Sequence, residues 1–126
     1  DNENYGGVSF YSEVEGNLSE PFSECEVKNV NDILKDLGIN KVDLIKIDTE
    51  GAEYDILTSI NSEFLKKTSW ITGELHGNRD FELLNYLNSL SFSISLNKNI
   101  DNRLFMFNAG KQEVISQLSR REIKIL

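Results

Sequence analysis

Asp48, Glu50 and Glu53 fall within six positions, directly behind an apolar run that ends at Ile47. Glu74 and His76 lie two apart at the end of a second apolar run. Carboxylates gathered in this way can orient a hydroxyl, accept its proton or ligate a hard cation. A histidine ionises close to neutral pH and suits general-base work. Residues two apart on a strand point the same way, so Glu74 and His76 share a direction, as do Lys46 and Asp48. The candidate site is therefore Asp48, Glu50, Glu74 and His76. Asp48 has a competing role as cap of the helix that follows it. Glu53 belongs to the first turn of that helix, where an acid stabilises the positive end without doing chemistry. Lys46 is expected in a structural ion pair, because a buried ammonium must be paired or neutralised.

The elements that position these groups can be read from periodicity. Val42 to Asp48 carries apolar residues on both faces, as in a parallel strand covered from both sides. A helix follows that buries Ala52, Ile56, Leu57 and Ile60 at helical spacing. Ser69 to Leu75 is a second strand, and side-by-side parallel pairing would bring His76 close to Asp48. In open α/β sheets ligands bind at these carboxyl ends. Upstream, Val30, Ile33, Leu34 and Leu37 form one helix face between an Asn29 N-cap and a Gly38 C-cap. Asn61 to Lys67 reads as a short helix or turn. Asp80 can cap a helix with Phe81, Leu84, Leu87 and Leu90 inward. Phe92 to Leu96 and Arg103 to Asn108 form a hairpin, with Phe105 to Phe107 in a buried terminal strand. Trp70 and Phe81 are expected in the core. Val8 to Tyr11 reads as an edge strand, Glu24 to Lys28 as a second short one, and the tail from Lys111 as a weakly amphipathic helix. The order argues for an α/β fold. Its Rossmann-like, mostly parallel sheet has helices on both faces and a closing hairpin that adds an antiparallel strand at one end. Residues 1–126 make a single domain: a polar loop with edge strands over 1–28, an α/β core over 29–110, and a helix or tail over 111–126.

Composition narrows the function classes. A chain of 126 residues suits one modest core. A formal charge of −8, with basic residues mostly scattered singly, argues against nucleic acid as a partner. The single cysteine, Cys25, lies between Glu24 and Glu26 and reads as structural, with no thiolate metal cluster available to it. No apolar run approaches the length that spans a bilayer and no signal peptide opens the chain, so a cytoplasmic protein with no membrane partner is expected. Asp48 with Glu50 would suit Mg²⁺ better than zinc. Nothing else in the sequence requires an ion, and no metal is assigned.

The block Asp43-Leu44-Ile45-Lys46-Ile47-Asp48-Thr49-Glu50-Gly51-Ala52-Glu53 resembles the "D-L-L-K-I-D-V-E-G-A-E" segment of FkbM-type methyltransferases. These are a branch of the class I S-adenosylmethionine-dependent enzymes. Asn29-Val30-Asn31-Asp32-Ile33-Leu34 is similar to the family's "T-L-D-D-L-L" helix start, and Gly73-Glu74-Leu75-His76 to its "E-x-H" strand end. The resemblance covers roughly the second half of such an enzyme. It implies a seven-stranded sheet with an antiparallel last strand, in which Val42 to Asp48 is the fourth strand and Ser69 to Leu75 the fifth. It also implies S-adenosylmethionine as methyl donor, with Asp48 close to the transferred methyl, and a small-molecule hydroxyl as acceptor. It raises the standing of Glu53 as well. The family's glycine-rich cofactor loop has no counterpart here, because Gly6-Gly7 precedes a polar strand rather than a helix. The chain alone is therefore expected to bind the donor poorly and to be inactive, as the carboxyl-terminal part of a methyltransferase domain.

Two other readings stand beside the enzyme. One is a non-catalytic half-domain that forms a homodimer through an exposed edge of the fourth strand. The other is a metal-dependent hydrolase using Asp48 and Glu50.

Overall fold

A computed structural model describes residues 26–98 and 105–119. The expected strand at Val8 to Tyr11 and Cys25 lie outside the described residues. The elements run α1 (Val30–Asp36), β1 (Leu44–Ile47), α2 (Glu53–Ser59), α3 (Ser62–Lys67), β2 (Trp70–Leu75), α4 (Asp80–Ser89), β3 (Phe92–Lys98), β4 (Phe105–Lys111) and α5 (Gln112–Ser119). None of these helices is long and apolar enough to cross a membrane. Glu26 to Lys28, expected in a short strand, carries no regular structure.

Local chemistry accounts for several boundaries. Asn29 caps α1 by accepting the Asn31 amide, and Gly38 follows its C-cap. Asn61 caps α3 by accepting the amides of Glu63 and Phe64. Asp80 does not cap α4. Arg79 holds that position in the left-handed region at φ +56, and Asp80 is the first helical residue, accepting the Gly77 amide at 3.0 Å. Leu83, Leu87 and Leu90 are buried, whereas Phe81 is 80% exposed, contrary to its expected place in the core.

The sheet order is β1-β2-β4-β3. β1 pairs with β2 in parallel, and β4 runs antiparallel to both β2 and β3. Three strands thus share one direction. The antiparallel strand lies between β2 and β3, not at the end of the sheet where the hairpin was expected to put it. β4 has two partners: it pairs over six residues with β2, from Trp70 to Leu75, and over seven with β3, from Phe92 to Lys98.

The core lies on one face. Ile47, Ile71, Leu75, Phe107 and Ala109 point from the sheet to Leu57 of α2, Leu65 of α3, and Leu83 and Leu87 of α4. Gly73 belongs to this face. A Cβ there would fall on the Ile47 carbonyl oxygen and within 2.9 Å of Phe107 Cε1. The missing side chain is therefore what lets β1, β2 and β4 close up. The opposite face is covered more sparsely. Ile115 of α5 packs beside Trp70 at Gly110. Leu44 and Lys46 point outward from β1, and Leu44 is 58% exposed. Among the described residues, helices on both faces is thus correct only where α5 lies, and β1 is covered on one face rather than two.

Candidate active site

The strand-to-helix turn after β1 bends sharply. Glu50 sits at φ +52 and Gly51 at φ +105. A side chain tolerates the left-handed region at a cost of about 1 kcal/mol, and glycine reaches it freely. Two such residues in succession turn the backbone so that its amides face the start of α2. Glu53 uses them. Its Oε1 accepts the Thr49 amide at 2.9 Å, the Thr49 hydroxyl at 3.1 Å and the Gly51 amide at 3.2 Å. The residue is only 1% exposed. Its Oε2 is also buried and has no hydrogen-bond partner among the described residues. Burial pushes this carboxyl upward. The backbone amides of Thr49, Glu53 itself and Gly51, with the nearby His76, outweigh it and hold the group below the ordinary carboxylate range. Glu53 is therefore a buried carboxylate.

His76, just beyond the end of β2, completes the arrangement. Its ring is 9% exposed and lies 2.9 Å from Glu53 Oε1 through Nδ1. An ionised carboxylate can only accept, so Nδ1 carries the proton and donates. Nε2 then points to the carboxylates of Glu50 at 3.5 Å, Asp48 at 3.8 Å and Glu74 at 4.0 Å. Parallel pairing of β1 with β2 produces this convergence, because Ile47 aligns with Gly73 and the two strand ends finish together. Asn78 locks the two turns by donating to the Gly51 carbonyl at 2.9 Å. Asp80 lies close by. Burial pushes its carboxyl up, the Gly77 amide pulls it down, and Glu53 pushes it up again.

All four residues singled out from the sequence meet here. Lys46 does not join as a buried partner: its side chain is 69% exposed and lies 3.9 Å from Asp48. An exposed pair of that length contributes little. The residue passed over was Glu53, taken as a helix-end acid. The signal that identified it was its place in the D-x-E-G-A-E block, since spacing alone does not show that the turn folds its carboxylate back under the histidine. The arrangement is a carboxylate–histidine pair that opens onto three half-exposed acids. It is suited to holding a hydroxyl, to taking up its proton and to attracting positive charge.

A family model described as "Methyltransferase FkbM domain" matches residues 9–112. Among curated proteins, the AMB antimetabolite synthetase AmbE of Pseudomonas aeruginosa is 34% identical over 56 residues, covering 44% of this chain. The chain spans 3% of that protein's length. No solved structure matches.

Proposed function

The chain belongs to the FkbM methyltransferase domain family, and on that premise we propose that it forms the acceptor side of an O-methyltransferase site. The donor would be S-adenosylmethionine and the acceptor a hydroxyl on a sugar or secondary metabolite. The observation that carries this reading is the Glu53–His76 pair aimed at the strand-end acids. Methyl transfer to oxygen requires the hydroxyl to be aligned with the methyl carbon and its proton to be removed. Asp48, Glu50 and Glu74 orient the hydroxyl. His76 Nε2 takes the proton, and the buried negative charge of Glu53 stabilises the imidazolium that forms.

The donor, when bound, supplies a methyl group on a cationic sulfur. The described residues offer that cation a negatively charged strand end but no glycine-rich cradle for the rest of the molecule, so they do not fit the whole donor.

The test is a fusion of this chain behind the donor-binding half of an FkbM-family relative, with S-adenosylhomocysteine release as the readout. His76→Gln and Asp48→Asn are each expected to slow turnover by about 10²- to 10⁴-fold, the usual weight of a general base or its partner. A fusion that binds donor and turns over equally well without His76 rejects the assignment.

A second reading is a non-catalytic half-domain that pairs with a second copy. It is favoured by the position of β1 at the outside of the described sheet, beside a groove lined by Val30, Leu34, Leu44 and Ile56. A stable dimer on size exclusion, with no calorimetric binding of S-adenosylmethionine, supports it. A monomer that binds the donor removes it.

A further inference from the structure

We propose that Asp48, Glu74 and His76 bind a divalent transition-metal cation, with Glu53 fixing the histidine from behind. The sequence offered Asp48 and Glu50 for an ion but nothing that required one, and no metal was assigned. The fold adds an imidazole and a third acid. One oxygen from each of Asp48 and Glu74 and one ring nitrogen of His76 all lie within 4.8 Å of one another.

His76 itself points to a ligand. Its ring is nine-tenths buried, and with Nδ1 donating to Glu53, Nε2 is left with a lone pair. The polar atoms placed around Nε2 are the carboxylate oxygens of Asp48, Glu50 and Glu74, themselves acceptors. A lone pair facing three acceptors needs either a second proton or a cation. The distances discriminate between them. A protonated ring draws a carboxylate to about 2.7–2.9 Å. The Asp48, Glu50 and Glu74 side chains are only partly buried, yet they stand 3.5 to 4.0 Å away. Donors bound about 2.1 Å from one ion lie about 3.0 to 4.2 Å apart, and Nε2 stands 3.8 Å from Asp48 and 4.0 Å from Glu74.

Charge points the same way. Four carboxylates lie within 4.0 Å of this one imidazole. The Glu53 oxygen that is buried without a partner adds uncompensated negative charge behind the ring. A ligating histidine held by a carboxylate at its other nitrogen is the usual outer-shell arrangement of metal sites. One nitrogen with two oxygens favours a first-row transition ion over Mg²⁺ or Ca²⁺, which take oxygen donors. The remaining positions on the ion are open to water or to an acceptor's oxygen. The inference stands on this geometry; an ion on Nε2 occupies the lone pair assigned above to the hydroxyl's proton, so while the ion is bound that proton goes to a strand-end carboxylate instead.

The experiment is a titration of the 126-residue chain with Mn²⁺, following loss of the free ion's electron paramagnetic resonance signal. The expected result is one ion per chain. His76→Gln and Glu74→Gln should each weaken binding at least about tenfold, and Glu53→Gln about 10- to 100-fold through the loosened ring. Asp43→Asn, at an exposed acid paired with Lys41, should leave it unchanged. Melting each variant in chelator establishes that it is folded. Should His76→Gln not fold, the half-exposed Glu74 decides. No loss of free-ion signal up to about 1 mM Mn²⁺, the weak end of biological divalent sites, overturns the proposal. So does unchanged affinity in the folded Glu74 variant.

Discussion

At Glu53, burial and hydrogen bonding pull in opposite directions, and hydrogen bonding prevails. A carboxyl held below its ordinary value of 4.5 stays charged in the folded protein at pH values where the unfolded chain takes up a proton. Its stabilisation is therefore fully present above pH 4.5 and is lost as pH falls through the lowered folded value. Glu53→Gln removes the charge from its bonds to Thr49, Gly51 and His76 and is expected to lower stability at neutral pH. A loss of about 1.5–3 kcal/mol is in the range for hydrogen bonds to a charged group. Urea unfolding at pH 7 measures it, and the gap to the parent chain should close as pH falls below 4.5. Equal urea midpoints at pH 7 would show that the buried carboxylate does not hold the turn. The four outer site residues were legible because strand alternation and strand-end position are properties of the sequence itself. Glu53 was not, because its role depends on Glu50 and Gly51 both adopting positive φ, which spacing does not encode.

Among the elements, α4 is where periodicity misled. Phe81, Leu83, Leu84, Leu87 and Leu90 offer two overlapping helical stripes, and sequence alone does not rank them. The choice is made by packing, which places Leu83, Leu87 and Leu90 in the core with Leu57, Phe92 and Phe107. Leu83 ends 1% exposed and Phe81 80% exposed. Leu83→Ala is expected to cost about 2–5 kcal/mol, whereas Phe81→Ala should stay within about 0.5 kcal/mol. Chemical denaturation of the two variants side by side checks this, and a larger effect at Phe81 would contradict the packing of α4. At the crossing of β1 and β2 the limit is steric. Gly73→Ala drives a methyl into the Ile47 backbone, which cannot move aside as a flexible side chain would. We expect it to destabilise by at least the ~1–3 kcal/mol typical of overpacking and to disturb the carboxyl ends that carry the site. Helix α1 was read correctly from its caps, yet none of its residues is buried. Asn31 anchors it instead, donating to the Ser59 carbonyl at 2.8 Å and accepting the Asn61 amide at 2.8 Å. Asn31→Ala should increase hydrogen exchange across Val30–Asp36 while leaving β2 and β4 protected. That tether joins residues about thirty apart, and no local pattern announces it.

For the whole molecule, the strand directions were largely legible, since helices between β1, β2 and β3 dictate parallel crossovers. The position of β4 was not. A hairpin pattern shows that β3 and β4 pair but not which of them also reaches β2, and here β4 reaches it with six paired residues. The overall charge sets a further balance that no single residue decides. At pH 7 the chain carries a formal −8, and the strand ends concentrate acids in one place. Lowering the pH relieves this repulsion. Asp80, whose carboxyl burial pushes upward, works in the same direction: protonation favours its folded state, so its contribution grows as pH falls through the raised value. Glu53 opposes both, but only below pH 4.5, where the folded protein begins to lose a charge it has built hydrogen bonds around. The two trends cross between these regimes. The melting temperature should therefore rise as pH falls from 7 toward 4.5 and fall below it, as Glu53 gives up its charge. Added salt should raise it at pH 7 more than at pH 5, because screening replaces the relief that protonation already provides. Scanning calorimetry across pH 3.5–7.5 at low and high salt measures both trends. A melting temperature that climbs steadily down to pH 3.5 would mean that repulsion among the acids outweighs the buried Glu53 at every pH, and that the carboxylate–histidine pair is not what holds the site together.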